Sequence, residues 1–337
     1  MSKRPSPISA TVDFEADGVQ HGFLKLPISN DESAWGAVMI PVTVVKNGDG
    51  PTALLTGGNH GDEYEGITAL MKLTSSLEAG DVRGRVIIVP MMNVPAAMAG
   101  RRTSPMDGGN LNRSFPGDPD GTVTEKIADY FTRVMVPMCD VVLDLHSGGR
   151  TLDIIPFGAS HVLDNPDQQR QALEGAKAFG APYAMMMFEL DAAALFDTAV
   201  ESQGKVFVAT ELGGGGTSTP ESLAITERGV RNFLIQFGLV QGQVEMPAEP
   251  QVYLDMPDAS CYVQSEHSGL LELTLALGDA VQEGQVIARV YDMTRSGTPP
   301  VEYRAERSGI LAARRFPAQV NMGDTIAVIA EVVDSLG

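Results

Sequence analysis

The 337-residue chain is predicted to adopt an α/β fold, a mixed and mostly parallel sheet with flanking helices, followed by a small C-terminal all-β domain. Three observations predict it. Apolar β-branched runs alternate with helix-periodic segments as far as residue 239. Several of these runs end in glycine, as buried strands do where they turn into helices. Beyond a short polar, proline-bearing stretch at 240–251 the helical signals vanish and short strand patterns take over. The expected division is therefore residues 1–245 and 250–337, which suits the length of ordinary domains.

The elements follow in order. GAVMIPVTVV (36–45) and TALLTGG (52–58) read as buried strands. EGITALMKLTSSL (65–77) places Ile67, Leu70, Met71 and Leu77 at helical spacing. VIIVPMMN (86–93) is a strand, and TVTEKIADYFTRVMVP (122–137) an amphipathic helix that a proline closes. CDVVLDLHSGG (139–149) is a strand running into a glycine turn, with Val142, Asp144 and His146 on one face and Val141, Leu143 and Leu145 on the other. NPDQQRQALEGAKAFG (165–180) is a helix ended by glycine. KVFVATELGGGG (205–216) is a strand before a four-glycine run, and TPESLAITERGVRNFLIQFGL (219–239) a long helix opened by Thr-Pro. In such a sheet, ligands bind near the carboxyl ends of the strands.

The tail holds an internal repeat. SGLLELTLALGDAVQEGQVIARV (268–290) aligns with SGILAARRFPAQVNMGDTIAVIA (308–330) across a one-residue gap. Such self-similarity signals approximate internal symmetry. The pattern resembles the barrel-sandwich fold of biotinyl and lipoyl domains, although no lysine follows Lys205 to carry a prosthetic group.

Composition narrows the function. Twenty-four Lys+Arg stand against 43 Asp+Glu, a formal charge of −19. That balance disfavours nucleic-acid backbones and anionic membranes as partners. Cys139 and Cys261 form no disulfide framework and no CxxC motif exists. The opening MSKRPSPISATVDFEADG has no apolar core of a secretory leader, so a cytoplasmic location is expected.

Four strings carry chemistry. In GGNHGDEYEG (57–66), His60 and Glu63 are three residues apart at a strand-to-helix junction. Imidazole and carboxylate suit Zn²⁺, whose catalytic sites use three protein ligands and keep one position open. The plainer reading is a hydrogen-bonded turn histidine beside an ordinary first-turn acid. In DLHSGG (144–149), His146 ends a strand, and Asp144 two residues earlier is placed to orient its ring. The alternative is a satisfied core histidine. With His60 and Glu63, His146 makes a His₂Glu set. In GRRTSPMDGGNLNRSFPG (100–117), Asn112 and Arg113 offer an amide and a guanidinium to a carboxylate, and Arg101 or Arg102 offers a cation to an oxyanion. A solvated basic loop is the alternative. In ATELGGGG (209–216), Glu211 ends a strand and is either a general base or a surface carboxylate. Met185, Met186 and Met187 are consecutive, cannot all face one ion, and are expected to pack in the core.

Taken in order, HxxE, an NRxFPG loop, a strand-borne histidine and a TEL-type glutamate before glycines resemble the succinylglutamate desuccinylase/aspartoacylase family, which is similar in fold to zinc carboxypeptidases. The resemblance spans roughly residues 35–240, and the tail resembles the family's C-terminal β domain. It implies one Zn²⁺ per chain on His60, Glu63 and His146, with Glu211 as general acid/base. It places Asn112 and Arg113 at the substrate carboxylate and an upstream arginine, Arg102 with the adjacent Arg101 as the alternative, at the scissile carbonyl. The implied reaction is metal-assisted hydrolysis of an N-acyl, most plainly N-acetyl, amino acid. An N-acetylated 2,4-diaminobutyrate would need an acid for its free ammonium, with Glu189, Asp191 and Asp153 as candidates. An N-acyl acidic amino acid would need a second arginine, for which Arg150 is nearest. A non-catalytic binding protein on the same fold is the alternative of another class, and homo-oligomerisation is left open. Because Arg101, Arg102 and Arg113 concentrate in one loop, the local charge at the carboxylate site is expected to oppose the global one.

Overall fold

The computed structural model describes residues 4–187 and 193–336. It opens with β1 (Ser9–Ala10), β2 (Gly18–Asn30) and β3 (Ser33–Asn47), the last two forming a long antiparallel hairpin. The strand read at 36–45 is the inner part of β3. The hairpin itself was not anticipated, because in β2 only Leu24 and Leu26 are fully buried and the other residues are too mixed to show a period.

Next come β4 (Thr52–Gly57), α1 (Tyr64–Thr74), β5 (Gly84–Val89), α2 (Val94–Ala99) and α3 (Val123–Tyr130). After these lie β6 (Val141–His146), β7 (Leu152–Ile154), β8 (Phe157–Ser160), α4 (Pro166–Ala178) and β9 (Tyr183–Met186). Then follow α5 (Phe196–Glu201), β10 (Val206–Glu211) and α6 (Pro220–Gln236). The helix starts have local causes. Thr122 accepts from the Glu125 amide while the Glu125 side chain reaches back, and Asn165 and Thr219 cap helices whose first residue is proline. The helix expected to end at Pro137 loosens after Tyr130 into a wide turn over Phe131–Met135, then tightens over Val136–Met138.

The large sheet runs β1-β2-β3-β5-β4-β6-β10-β8-β9-β11-β19-β17-β14, where β11–β19 belong to the tail described below. It is mixed rather than mostly parallel. Its centre, β5-β4-β6-β10, is parallel, whereas β3 and β8 flank that centre antiparallel. Both faces of the centre are covered. Leu54, Ile87 and Val142 pack with Phe131 and Phe196 on one face, and Leu55, Ile88 and Leu143 with Leu70, Phe179 and Phe233 on the other. Adjacent residues thus serve opposite cores, which is why these strands read as unbroken apolar runs.

The tail comprises β11 (Val252–Asp255), β12 (Tyr262–Gln264), β13 (Gly269–Leu273), β14 (Ala280–Val281), β15 (Val286–Tyr291), β16 (Val301–Arg304), β17 (Gly309–Arg315), β18 (Gln319–Val320) and β19 (Thr325–Val333). The repeat now has a structural meaning. β13 pairs with β15 and β17 with β19, but β14 of the first repeat pairs with β17 and β18 of the second with β13. The hydroxyls of Ser268 and Ser308 accept from the Met322 and Glu283 amides, each at 3.0 Å in the other repeat's turn. A Cβ at Gly269 or Gly309 would stand 2.1 Å from a carbonyl oxygen, of Tyr291 or Ala330, so only glycine fits at either place. The tail also extends the large sheet, with β11 between β9 and β19, and β7 on β17. Among the described residues, no helix is long and apolar enough to cross a membrane.

Candidate metal centre and catalytic cavity

Parallel β4, β6 and β10 end side by side, and their carboxyl ends deliver the site. Past Gly57 the chain turns through Gly58, whose φ of +61° is a glycine conformation. A Cβ at Gly61 would fall 2.0 Å from the Ala96 carbonyl carbon, and one at Gly66 would fall 2.5 Å from the Leu145 Cβ. These glycines let the turn and α1 press against α2 and β6. His60 and Glu63 are thereby buried, each only 3% exposed. β6 brings His146 to the same point, and Glu211 sits beside it in parallel register.

The ligand atoms of His60, Glu63 and His146 all lie within 4.8 Å of one another. His60 Nδ1 is 2.7 Å from Glu63 Oε1, and His146 Nδ1 is 2.9 Å from Oε2. Each ring is held from behind. His60 Nε2 faces Asn110 Oδ1 at 3.2 Å, and His146 Nε2 faces Asp144 Oδ2 at 2.8 Å. Asp144 is fixed in turn by Thr56 Oγ1 at 2.7 Å and Asn59 Nδ2 at 3.1 Å. Both Nδ1 atoms therefore point inward while both Nε2 atoms are tied to oxygens, the outer-shell arrangement of metal-binding histidines.

The electrostatics are tight. Burial opposes charge on Glu63, but the two imidazoles outweigh it and hold this carboxyl well below the usual range. Burial likewise opposes the His146 cation, yet Asp144 and Glu63 raise its pKa well above the ordinary value. At His60 burial prevails and the pKa falls. Glu211 Oε2 is buried with no hydrogen-bond partner. Its burial and the Glu63 charge push its pKa up to about 8. A lone buried carboxylate costs free energy, which favours a functional reading over a structural one.

Glu65, on the first turn of α1, was not singled out by its sequence context. Burial, with the nearby Glu63 charge, raises its pKa to about 7. In the metal-free chain its native form thus holds a proton that the unfolded form has lost, so stability falls as pH rises from about 4.5 to about 7. Glu65→Gln is expected to gain on wild type by roughly 2–3 kcal/mol between pH 5 and pH 8. Urea unfolding at the two pH values measures it, and an unchanged difference would refute the shift.

A cavity of about 140 Å³ opens over these groups, with His60, Glu63, His146, Glu211, Arg102, Asn112 and Arg113 on its walls. The three expected ligands, Glu211, Arg102, Asn112 and Arg113 thus meet in one place. Arg102 Nη1 lies 3.3 Å from Glu63 Oε1, whereas Arg101 is not on the wall. Asn112 Oδ1 accepts from the Phe196 amide at 2.9 Å, which fixes the orientation of the amide and leaves its Nδ2 as the donating group. Arg113 donates to the Asn112 carbonyl at 2.7 Å. Phe115 of the FPG string stacks on Phe196 at 4.8 Å, binding this loop to α5.

Other expectations change. Asp153 pairs with Arg314 at 2.8 Å and is not on the cavity wall. Arg150 lies against Gly100 and Gly216, also off the wall. Glu189 and Asp191 lie outside the described residues. Met185 and Met186 are in the core, but Met187 lines the cavity. The wall also carries Asp144 and Asp197, so with Glu63 and Glu211 four carboxylates outnumber the two arginines among the described lining residues, against the expected reversal of local charge. Asp197, Asn110, Asn59 and Thr56 escaped sequence reasoning. Asn59, next to His60, was the one with a local signal.

A parallel sheet centre with two histidines and a glutamate converging at its carboxyl edge is the arrangement of a single-metal hydrolase. The chain belongs to the succinylglutamate desuccinylase/aspartoacylase family, whose catalytic domain matches residues 49–237. The N-alpha-acetyl-L-2,4-diaminobutyric acid deacetylase of Halomonas elongata is 86% identical over 335 residues, covering 99% of this chain and 98% of that protein. The product-bound structure of the ectoine utilization protein EutE (DoeB) from Ruegeria pomeroyi has 55% identity and a TM-score of 0.95, covering 97% of this chain and 99% of that one. A succinylglutamate desuccinylase from a Silicibacter species has 57% identity and a TM-score of 0.94, covering 98% and 100%.

Proposed function

We propose that this protein hydrolyses the acetyl amide of N-alpha-acetyl-L-2,4-diaminobutyrate, using one Zn²⁺ held by His60, Glu63 and His146. The substrate reading is supported by the 86% identity to the Halomonas deacetylase. The chemistry is supported by a single observation. The Glu211 carboxylate, whose buried Oε2 has no hydrogen-bond partner, shares a cavity with three converging N, O and N donors and a guanidinium. That donor set fits zinc, because both Nδ1 atoms and one carboxylate aim at a common point and the cavity supplies an open side. A non-catalytic role would leave the buried Oε2 of Glu211 unsatisfied without a reason.

Zinc, when bound, supplies a Lewis acid that lowers the pKa of a water from about 15.7 toward about 7. Glu211 accepts a proton from the attacking water as the C–O bond forms at the acyl carbon. It then gives that proton to the amine as the C–N bond breaks, releasing acetate and a free α-amine. Arg102 donates to the carbonyl oxygen as negative charge develops there. Asn112 Nδ2 and the Arg113 guanidinium hold the substrate carboxylate. Phe157, Phe207 and Met187 give the cavity apolar wall that suits a small acyl group.

The cross-paired tail supports a barrel-sandwich reading for residues 250–337, distinct from the catalytic unit at 1–245. A cytoplasmic location with a small-molecule substrate belongs to the same proposal. The test is a comparison of kcat/KM for N-alpha-acetyl-2,4-diaminobutyrate, N-acetylaspartate and N-succinylglutamate. The acetylated diamine is expected to be the preferred substrate, and preference for either dicarboxylate would overturn the assignment.

A further inference from the structure

Resting on this deacetylase reading, we propose that Asp197 selects the substrate by binding its free ammonium. The acetylated diamine brings a cation into a small cavity, and a desolvated ammonium needs a counter-charge there. Among the described residues four carboxylates line the wall: Glu63, Asp144, Glu211 and Asp197. Glu63 is engaged by His60, His146 and Arg102, and Asp144 by Thr56, Asn59 and His146. Glu211 moves the reaction's proton. Asp197 alone of the four touches no proposed metal ligand and moves no proton of the reaction; its partners are Thr198 and, at 4.0 Å, His161.

Its geometry is that of a prepared site. Asp197 is 7% exposed. Its Oδ1 is held by the Thr198 amide and, at 3.0 Å, by the Thr198 hydroxyl, which fixes the carboxylate orientation. Its Oδ2 faces His161 Nε2 at 4.0 Å, beyond hydrogen-bond reach, while Glu201 Oε1 holds the other ring nitrogen at 3.0 Å. Asp197 also borders a second cavity of about 470 Å³, so it stands on the wall between the two. The preceding residue, Phe196, gives its amide to Asn112 Oδ1. Asn112, proposed for the carboxylate, is thus tied to the residue that precedes Asp197, so the loop and the start of α5 that carry the two groups are held together. The same carboxylate repels a second substrate carboxylate and so disfavours N-acyl acidic amino acids.

The experiment compares N-alpha-acetyl-2,4-diaminobutyrate with N-acetylnorvaline, in which a methyl replaces the ammonium. Asp197→Asn is expected to raise KM for the diamine by about tenfold or more, the scale of a lost charged hydrogen bond. Its kcat should change little, and KM for N-acetylnorvaline should hold or fall. Asp197→Glu should retain part of the preference, and circular dichroism checks that both variants fold. Equal losses on the two substrates would overturn the proposal, as would unchanged selectivity. So would loss of selectivity in Glu189→Gln or Asp191→Asn in place of Asp197→Asn. A wild-type enzyme inactive on the diamine would instead overturn the deacetylase reading and the Asp197 role with it.

Discussion

Glutamine in place of Glu211 is expected to lower kcat for acetate release by about 10²–10⁴-fold, with zinc content and fold unchanged. The substitution keeps shape and removes only the capacity to exchange a proton. Glu211 is not one of the three converging donors, and its Oε2 has no hydrogen bond to lose. A general base works only when ionised, so the rate should rise with pH through the Glu211 pKa. Burial and the Glu63 charge push that value to about 8 in the metal-free chain. A cation on the neighbouring donors favours the carboxylate form and moves the limb downward. The acid limb of kcat/KM should therefore lie between the ordinary carboxylate value and about 8, and it should vanish in Glu211→Gln. Near-normal turnover by the variant would remove Glu211 from the role.

His146→Ala is expected to abolish stoichiometric zinc and lower activity by at least about 10²-fold, since the site keeps two ligands of three. It should also be costly without metal. Asp144 and Glu63 are both buried, and both lean on this ring at 2.8 and 2.9 Å. Removing one member of a buried charge cluster typically costs about 3–5 kcal/mol. Elemental analysis and urea unfolding at pH 7 measure the two effects. A full equivalent of zinc in the variant would mean that the ligand set is misassigned.

The candidate site residues on strands were legible because strand periodicity is strict. Asp144 and His146 share a face with Val142, and the two cores divide these residues as the alternation requires. His60 and Glu63 were legible as a pair, but the glycines around them gained a reason only from the close approach of Ala96 and Leu145. Loops were not legible to the residue. Arg101 and Arg102 are adjacent with no period to separate them, and the choice is made by anchors elsewhere. Asp107 ties the loop to Thr124 at 2.7 and 2.8 Å, and Asn110 ties it to His60. Asp197 was hidden for a different reason. In FDTAVE it looks like an ordinary first-turn acid, and it reaches the cavity because Phe196 is buried among Phe115, Phe131 and Phe207. Strand direction was also out of reach. β8 has four residues, FGAS, and its antiparallel course follows from pairing with β10 rather than from its own pattern.

The most direct test of the central claim is a metal titration of the chelator-treated enzyme, followed by acetate release from N-alpha-acetyl-2,4-diaminobutyrate. Activity should be lost on chelation and return linearly until one equivalent of Zn²⁺ per chain has been added. Full activity in the chelated, zinc-free protein, or restoration that requires two equivalents, would contradict a single site built from His60, Glu63 and His146.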